Sequence, residues 1–413
     1  MEYKFSNAVV INPKESLKKG TNAKKIAMAD IQENYRFIKN FELNKFKSGT
    51  KFRNGDTLFA RITPCLENGK IAQVNILEES EVAFGSTEFL ILRDKEGVTI
   101  SDYVYYLSKW DYIKDSAIKS MTGTSGRQRV QNSIFDELAV DIPSIETQKS
   151  IVSVLNNLDY KIEINNKIIE NLEAQAQAIF KSWFVDFEPF QDGNFVESEL
   201  GLIPEGWDIK ELKNIVEYNK RGFSPKYTVD KSGIPVINQR CIRNSRIIDE
   251  AVKYHDPTQK KVPSDKYYQP YDVLINSMGV GTLGRVSQVS KIEKNKIVHS
   301  CITILRANTD VIKPAIFGQM MIRSQKLFEI IGEGTTGQTS LKNKDIDMLS
   351  YIIPPIDVQD QIESVLDSIL RYTDELYMQN QTLALTRDTL LPKLMSGEID
   401  VSDIKIDEDI DYD

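Results

Sequence analysis

Gly279-Val280-Gly281-Thr282-Leu283-Gly284 has the GxGxxG spacing that can hold a dinucleotide pyrophosphate. That chemistry needs a helix directly after the glycines, with its N-terminus on the phosphates. Arg285-Val286-Ser287-Gln288-Val289 follows instead, which is a strand pattern, so the glycines read as a turn between two strands. Gly69-Lys70 is not a phosphate loop, because Pro64 replaces the first glycine and Ile71 the Ser/Thr. An amino-methyltransferase would need an Asn/Asp-Pro-Pro-aromatic motif, and Pro354-Pro355 lies between isoleucines. Two histidines, His255 and His299, are too few for a zinc cluster, and His299 beside Cys301 reads as a structural pair. Asp208, Glu211 and Lys213 faintly resemble a nuclease carboxylate–lysine set, but read as a solvated helix face. No metal site, catalytic residue or bound cofactor is expected.

The remaining chemistry is hydrogen bonding by polar loops. Arg61, Thr63, Asn68 and Lys70 lie on one strand-turn-strand, and Asn276, Ser277, Thr282 and Arg285 hold the matching place later in the chain. Two further loops carry Thr122, Thr124, Ser125, Arg127, Gln128 and Arg129, then Thr335, Thr336, Gln338, Thr339, Ser340 and Lys342. Arg and Lys pair with guanine edges or phosphates, and Asn and Gln with adenine, so these loops are candidate DNA contacts.

The elements that must position them repeat. Ile142-Pro143-Ser144-Ile145 and Ile353-Pro354-Pro355-Ile356 are offset by 211, and the same offset aligns Leu138 with Leu349 and Gln148 with Gln359. It also aligns two heptad seams. The first runs through Ile151, Leu155, Leu158, Ile162, Asn165, Ile169, Leu172, Ala176, Ile179 and Trp183. The second runs through Ile362, Leu366, Ile369, Thr373, Leu376, Asn380, Leu383, Arg387, Leu390 and Leu394. Each run predicts a helix on the order of 55 Å long, and antiparallel pairing within the chain is favoured. Polar seam residues cost stability and can fix register.

Upstream of each seam, short β-branched runs alternate with helical stretches such as 102–116 and 314–331. The expected fold is α+β: two repeated mixed domains separated by two long antiparallel coiled-coil helices. Residues 1–145 and 191–356 form the domains, 146–190 and 357–398 the helices, and 399–413 an acidic, disordered tail.

The net charge is −8, with segments 1–145, 146–200, 201–356 and 357–413 carrying +2, −6, +7 and −11. Acidity sits in two blocks, and a local basic face is what a DNA binder requires. Cys65, Cys241 and Cys301 make an odd, scattered set, which argues for a reducing compartment. Without a signal peptide pattern or an apolar run of about 18 residues, the expected location is the cytoplasm, away from membranes.

Longer motifs resemble one family. Gly55-Asp56-Thr57-Leu58-Phe59-Ala60-Arg61-Ile62-Thr63-Pro64-Cys65-Leu66-Glu67-Asn68-Gly69-Lys70 is similar to a motif of the specificity subunits of type I restriction–modification systems. So are Phe84-Gly85-Ser86-Thr87-Glu88-Phe89, Trp183-Phe184-Val185-Asp186-Phe187-Glu188-Pro189, Gly201-Leu202-Ile203-Pro204-Glu205-Gly206-Trp207 and Leu391-Pro392-Lys393-Leu394-Met395-Ser396-Gly397-Glu398. The resemblance implies a non-catalytic chain with two target-recognition domains, each reading half of a split asymmetric site in double-stranded DNA. It implies helices that space the halves and dock two methyltransferase subunits, which use S-adenosylmethionine to methylate adenine. Restriction subunits would add ATP- and Mg-dependent translocation and cleavage. The second domain has Asn276-Ser277-Met278-Gly279-Val280-Gly281 where the first has the ITPCLENGK stretch, so residue transfer to that half is weaker. Other functions compatible with this architecture are a stand-alone DNA-binding regulator, a coiled-coil scaffold, and an enzyme acting through Asp208 or Glu211.

Overall fold

The computed structural model describes residues 2–33, 35–124, 126–291, 295–332 and 340–402, the side chain of Glu250 aside. The chain forms two units: Met1–Asn165 with Gln379–Asp413, and Asn166–Met378. Two 40-residue helices, Ile145–Phe184 and Ile356–Met395, each contribute one portion to each unit.

The first unit is built on two four-stranded sheets. One has Val9–Ile11, Phe89–Asp94, Thr57–Ala60 and Ile71–Gln73 side by side, all antiparallel. The other orders Glu42–Lys45, Asn22–Ile26, Ala83–Gly85 and Thr50–Phe52, with one parallel pair in the middle. Glu2–Lys4 pairs with Ala139–Asp141 just before the first long helix. The second unit repeats this plan. Val216–Arg221, Ile302–Ala307, Val273–Asn276 and Val286–Gln288 form the antiparallel sheet. Tyr227–Thr228, Lys253–His255, Ile234–Ile237 and Ile297–Val298 form the sheet with one parallel pair. Asp208–Glu211 pairs with Ser350–Ile353 before the second long helix.

The repeat extends to single side chains. In the first unit Asp56 accepts two bonds from Arg93 (2.6 and 2.7 Å), and in the second Asp272 accepts two from Arg306 (2.7 and 2.9 Å). Gln148 donates to the carbonyls of Val98 and Pro143 and accepts from the Ile100 amide; Gln359 donates to Val311 and Pro354 and accepts from Lys313. Both glutamines are fully buried, so each amide closes a loop against the start of its long helix. Gln148→Ala and Gln359→Ala are each expected to destabilise their own unit by about 1–3 kcal/mol, because buried backbone groups lose their partners. Urea denaturation with tryptophan fluorescence checks this, and a cost confined to one glutamine would show that the two joints are not equivalent.

Several local expectations change. The stretches 102–116 and 314–331 are each two helices, Ser101–Lys109 with Asp111–Lys119 and Pro314–Arg323 with Gln325–Gly332. The break in the first comes where Trp110 adopts ψ 128°, which no helix continues through. Asp208–Glu211 is a strand, not a helix face, because its backbone is taken by Ser350–Ile353. The first long helix stops at Phe184 rather than 190, and Phe187 enters the left-handed region at φ 53°. Residues 399–402 are not free tail, since Val401 is buried in the first unit's core and Ile399 packs against it. The rest of the expected tail, 403–413, lies outside the described residues.

Along the first seam Ile151, Leu155, Asn165 and Ile169 are buried, and Leu158, Ile162, Leu172 and Ile179 half-buried. Along the second, Ile362, Leu366, Leu376 and Asn380 are buried, and Ile369, Leu383 and Leu390 half-buried. Each fully buried leucine or isoleucine contributes about 1.5–3 kcal/mol. In the first unit Asn165 donates to Asn380 Oδ1 (2.8 Å) and Gln379 Oε1 (2.7 Å), and Asp159 pairs with Arg387 (2.6 Å). Rising numbers on one helix meet falling numbers on the other, so the pair is antiparallel. In the second unit Phe180 and Phe184 share a core with Ile362 and Leu366. There Arg246 joins Glu173 (2.6 Å) to Asp374 (2.8 Å), again an antiparallel match.

Candidate nucleic-acid interface

In the first unit, the turn that joins Thr57–Ala60 to Ile71–Gln73 is clasped by the loop before the first long helix. The Thr63 amide donates to the Gln128 carbonyl (3.0 Å), and the Gln128 amide donates back to Thr63 Oγ1 (3.0 Å). Ile62 bridges to Arg129, and the Val130 amide donates to the Arg61 carbonyl (2.9 Å). Arg129 then donates from Nε (3.0 Å) and Nη2 (2.6 Å) to the carboxylate of Glu88, whose own carbonyl receives the Arg61 amide (2.9 Å). Two loops far apart in sequence therefore form one surface. Asn68, Thr122, Thr124 and Arg127 are exposed on it, and Arg61, Lys70, Gln128 and Arg129 are half-buried.

Thr63 does not serve as an exposed DNA contact. It is 8% exposed, and its hydroxyl is spent on holding the two loops together. Lys70 directs its ammonium to the Met28 carbonyl (2.8 Å). Ser125 lies outside the described residues.

The second unit has the same clasp with different side chains. Met278 bridges to Ser340, and the Leu341 amide donates to the Ser277 carbonyl (3.0 Å). Two expected contact residues are overturned here. Asn276 is fully buried and donates to the Gln239 carbonyl (2.9 Å), and Ser277 is fully buried with its hydroxyl 2.6 Å from Thr303 Oγ1. Both lie at the end of Val273–Asn276, where the strand points them into the unit instead of out of it. Arg285 is half-buried and caps the carbonyls of Gly281 (2.8 Å) and Ile242 (3.2 Å). Lys342 is exposed at the start of Asn343–Asp347. Thr336 and Gln338 lie outside the described residues.

Sequence patterning missed two members of these clasps. Glu88 lies in a recognisable motif but binds Arg129 only through a tertiary contact. Arg221 ends the edge strand Val216–Arg221, reaches the Leu341 carbonyl and donates from Nε to Asn343 Oδ1 (3.2 Å). Nothing in its local pattern distinguishes it from any strand-end arginine. The glycine-rich turn 279–284 does join two strands, and His299 Nδ1 accepts the Cys301 amide (3.1 Å) as a structural pair. Trp183, Phe184 and Phe187 close the second unit's base with Phe190 and Trp207.

Its hydrogen bonds to Arg129 hold the Glu88 carboxyl below the ordinary glutamate range. A carboxyl with a depressed folded pKa adds stability above its unfolded value, about 4.3, and loses it as pH falls through the lower folded value. The clasp is therefore expected to loosen below about pH 4. Hydrogen exchange of the 122–130 loop measured from about pH 6 down to about pH 3 checks this. The pH dependence should vanish in Glu88→Gln; persistence there would assign it to another group.

The family model for the type I restriction modification DNA specificity domain matches twice, over residues 8–174 and 204–385. The chain belongs to that specificity family. The two matches carry the two clasps and most of both long helices. The MjaIX type I restriction enzyme specificity subunit of Methanocaldococcus jannaschii is 29% identical to this specificity-family chain over 330 residues, covering 75% of this chain and 71% of that one. The HindI type I restriction enzyme specificity subunit of Haemophilus influenzae is 23% identical, covering 84% and 87%. The crystal structure of the type I restriction-modification system S subunit from M. genitalium matches with TM-score 0.56 at 14% identity, covering 96% of each chain, which is a likeness of fold. Among the described residues, no helix is long and apolar enough to cross a membrane, and no group of His, Cys, Asp or Glu is arranged to hold a metal ion.

Proposed function

We propose that this chain is the sequence-reading subunit of a type I restriction–modification complex. Each unit reads one half of a split, asymmetric site in double-stranded DNA, and the chain carries two methyltransferase subunits to it. The observation that carries this reading is the duplicated clasp. Two domains share topology, buried joints and loop-to-loop bonding, yet present different side chains on the clasp. A protein that reads two unlike half-sites needs that combination, since phosphate contacts position a domain while base-edge contacts distinguish sequences. The two clasps also sit in the two segments that are neutral or basic, away from the acidic helices and tail.

The adenine transfer belongs to the partners, which supply S-adenosylmethionine, and restriction subunits supply the ATP- and Mg-dependent steps. The chain itself contributes binding and orientation, in the cytoplasm where its DNA lies. The test is to purify the chain with the methyltransferase encoded beside it and map methylated adenines in DNA treated with the complex. A split motif with one fixed spacer, present only with this chain, is the expected result. An unsplit motif, or methylation indifferent to the chain, would defeat the proposal.

A further inference from the structure

The clasps share a feature that the repeat does not require. Arg61 Nε in the first unit and Arg221 Nη1 in the second are buried and have no hydrogen-bond acceptor among the described residues. Neither arginine forms an ion pair among those residues. Arg93, Arg129 and Arg306 nearby are all matched to carboxylates. Burial lowers the pKa of the Arg221 guanidinium, and the neighbour that opposes this is the Cys301 thiol, not a carboxylate. A buried N–H without an acceptor is costly and uncommon in a native fold. An acceptor brought by a ligand removes that cost.

The two arginines are not equivalent positions. Arg61 follows Thr57–Ala60, which corresponds to Val273–Asn276, so its counterpart is Ser277. Arg221 ends Val216–Arg221, the edge strand corresponding to Val9–Ile11. Each reaches the clasp of its own unit from a different strand. Arg61 is set by backbone bonds to Glu88 and Val130, and Arg221 by the Leu341 carbonyl and Asn343. The same task is met by two placements, as expected if the two halves are read differently.

We propose that Arg61 and Arg221 are the specificity-determining residues of the first and second units, each donating its guanidinium N–H groups to the edge of a guanine in its own half-site. Guanine is the matching base because it presents two acceptors, O6 and N7, to a planar fork of donors. This rests on the DNA-reading function proposed above.

The experiment maps methylated adenines produced by the complete complex of the chain with its methyltransferase subunits. Arg61→Gln is expected to admit other bases at one position of one half-site, with discrimination falling roughly ten- to hundred-fold. The spacer and the other half-site stay unchanged. Arg221→Gln should do the same in the opposite half-site. Arg61→Lys and Arg221→Lys keep the charge without the fork, and should also relax the motif. An unchanged motif in the Gln variants overturns the assignment alone. So does a uniform loss over all sequences with a shallower salt dependence, which marks a phosphate contact. Full recognition by the Lys variants overturns it as well, because charge without geometry would suffice. If a Gln variant does not fold, by its thermal transition, the Lys variant decides. Failure of the unaltered complex to give a split motif overturns the DNA reading itself, and this assignment with it.

Discussion

Arg387→Met is expected to destabilise the first unit by about 3–5 kcal/mol, the range for removing one partner of a buried ion pair. Arg387 is 1% exposed, in the middle of a helix seam where an apolar residue would ordinarily pack. It is tolerated because Asp159 on the facing helix lies 2.6 Å from its Nη1. Asp159 in turn accepts the Tyr106 hydroxyl at 2.7 Å. Asn156, one turn earlier, accepts from Arg36 and donates to Asp102 (3.1 Å). Arg36 is bound to Asp102 (2.6 Å) and Gln73 (2.8 Å). The chain of partners therefore runs from the second long helix, through the first, into the sheet and helix of the recognition domain.

Methionine fills the arginine's volume but leaves Asp159 charged and buried with half its partners gone. The double variant Asp159→Leu/Arg387→Met should recover much of the loss, because it removes both charges together. Urea denaturation of the three proteins, with hydrogen exchange localising the change to residues 145–165 and 379–395, reads the effect. Equal stability of the single and double variants would show that the ion pair is not what the seam depends on.

The second large effect is steric. Gly222→Val is expected to destabilise the second unit by about 3 kcal/mol or more, at the upper end for overpacking. A Cβ at Gly222 would lie 2.1 Å from the Val298 carbonyl oxygen and 2.5 Å from that of His299. Both obstacles are backbone, and both belong to the segment that Phe223 pairs with, so neither can swing aside. The contrasting case is Gly69→Ala. Gly69 has φ +72° and open space around it, so alanine meets only the backbone preference, about 1–2 kcal/mol. Thermal denaturation of both variants distinguishes steric exclusion from conformational strain. A Gly222→Val protein as stable as the parent would require that strand to sit elsewhere. Gly222 adjoins Arg221, so its variant should also disturb the second clasp, whereas Gly69→Ala leaves that clasp untouched.

Much of this protein is legible in patterns local to the chain. The constant offset of 211 locates the two long helices and both pre-helix joints, because heptad periodicity is local and survives divergence. It also identifies Asn165, Asn380 and Arg387 as polar breaks in the seams. Their partners are not legible in the same way. Asn380 meets Asn165 and Arg387 meets Asp159 only through antiparallel pairing, and Asp159 lies off the seam spacing that marks the others.

The recognition loops show the same division. Their polar composition marks both clasps, but composition carries no direction. Whether a side chain at a strand end points outward depends on the pleat and on what the neighbouring loop offers. So Thr63, Asn276 and Ser277 read as contacts in the sequence and are internal fasteners in the fold. Arg221 reads as an ordinary strand end and stands in a clasp. Periodic elements and the duplication were determined by the sequence itself, because each depends on residues close along the chain. Only the tertiary structure decided which polar groups remain without partners, because a partner can lie a hundred or more residues away, as Asn343 does from Arg221.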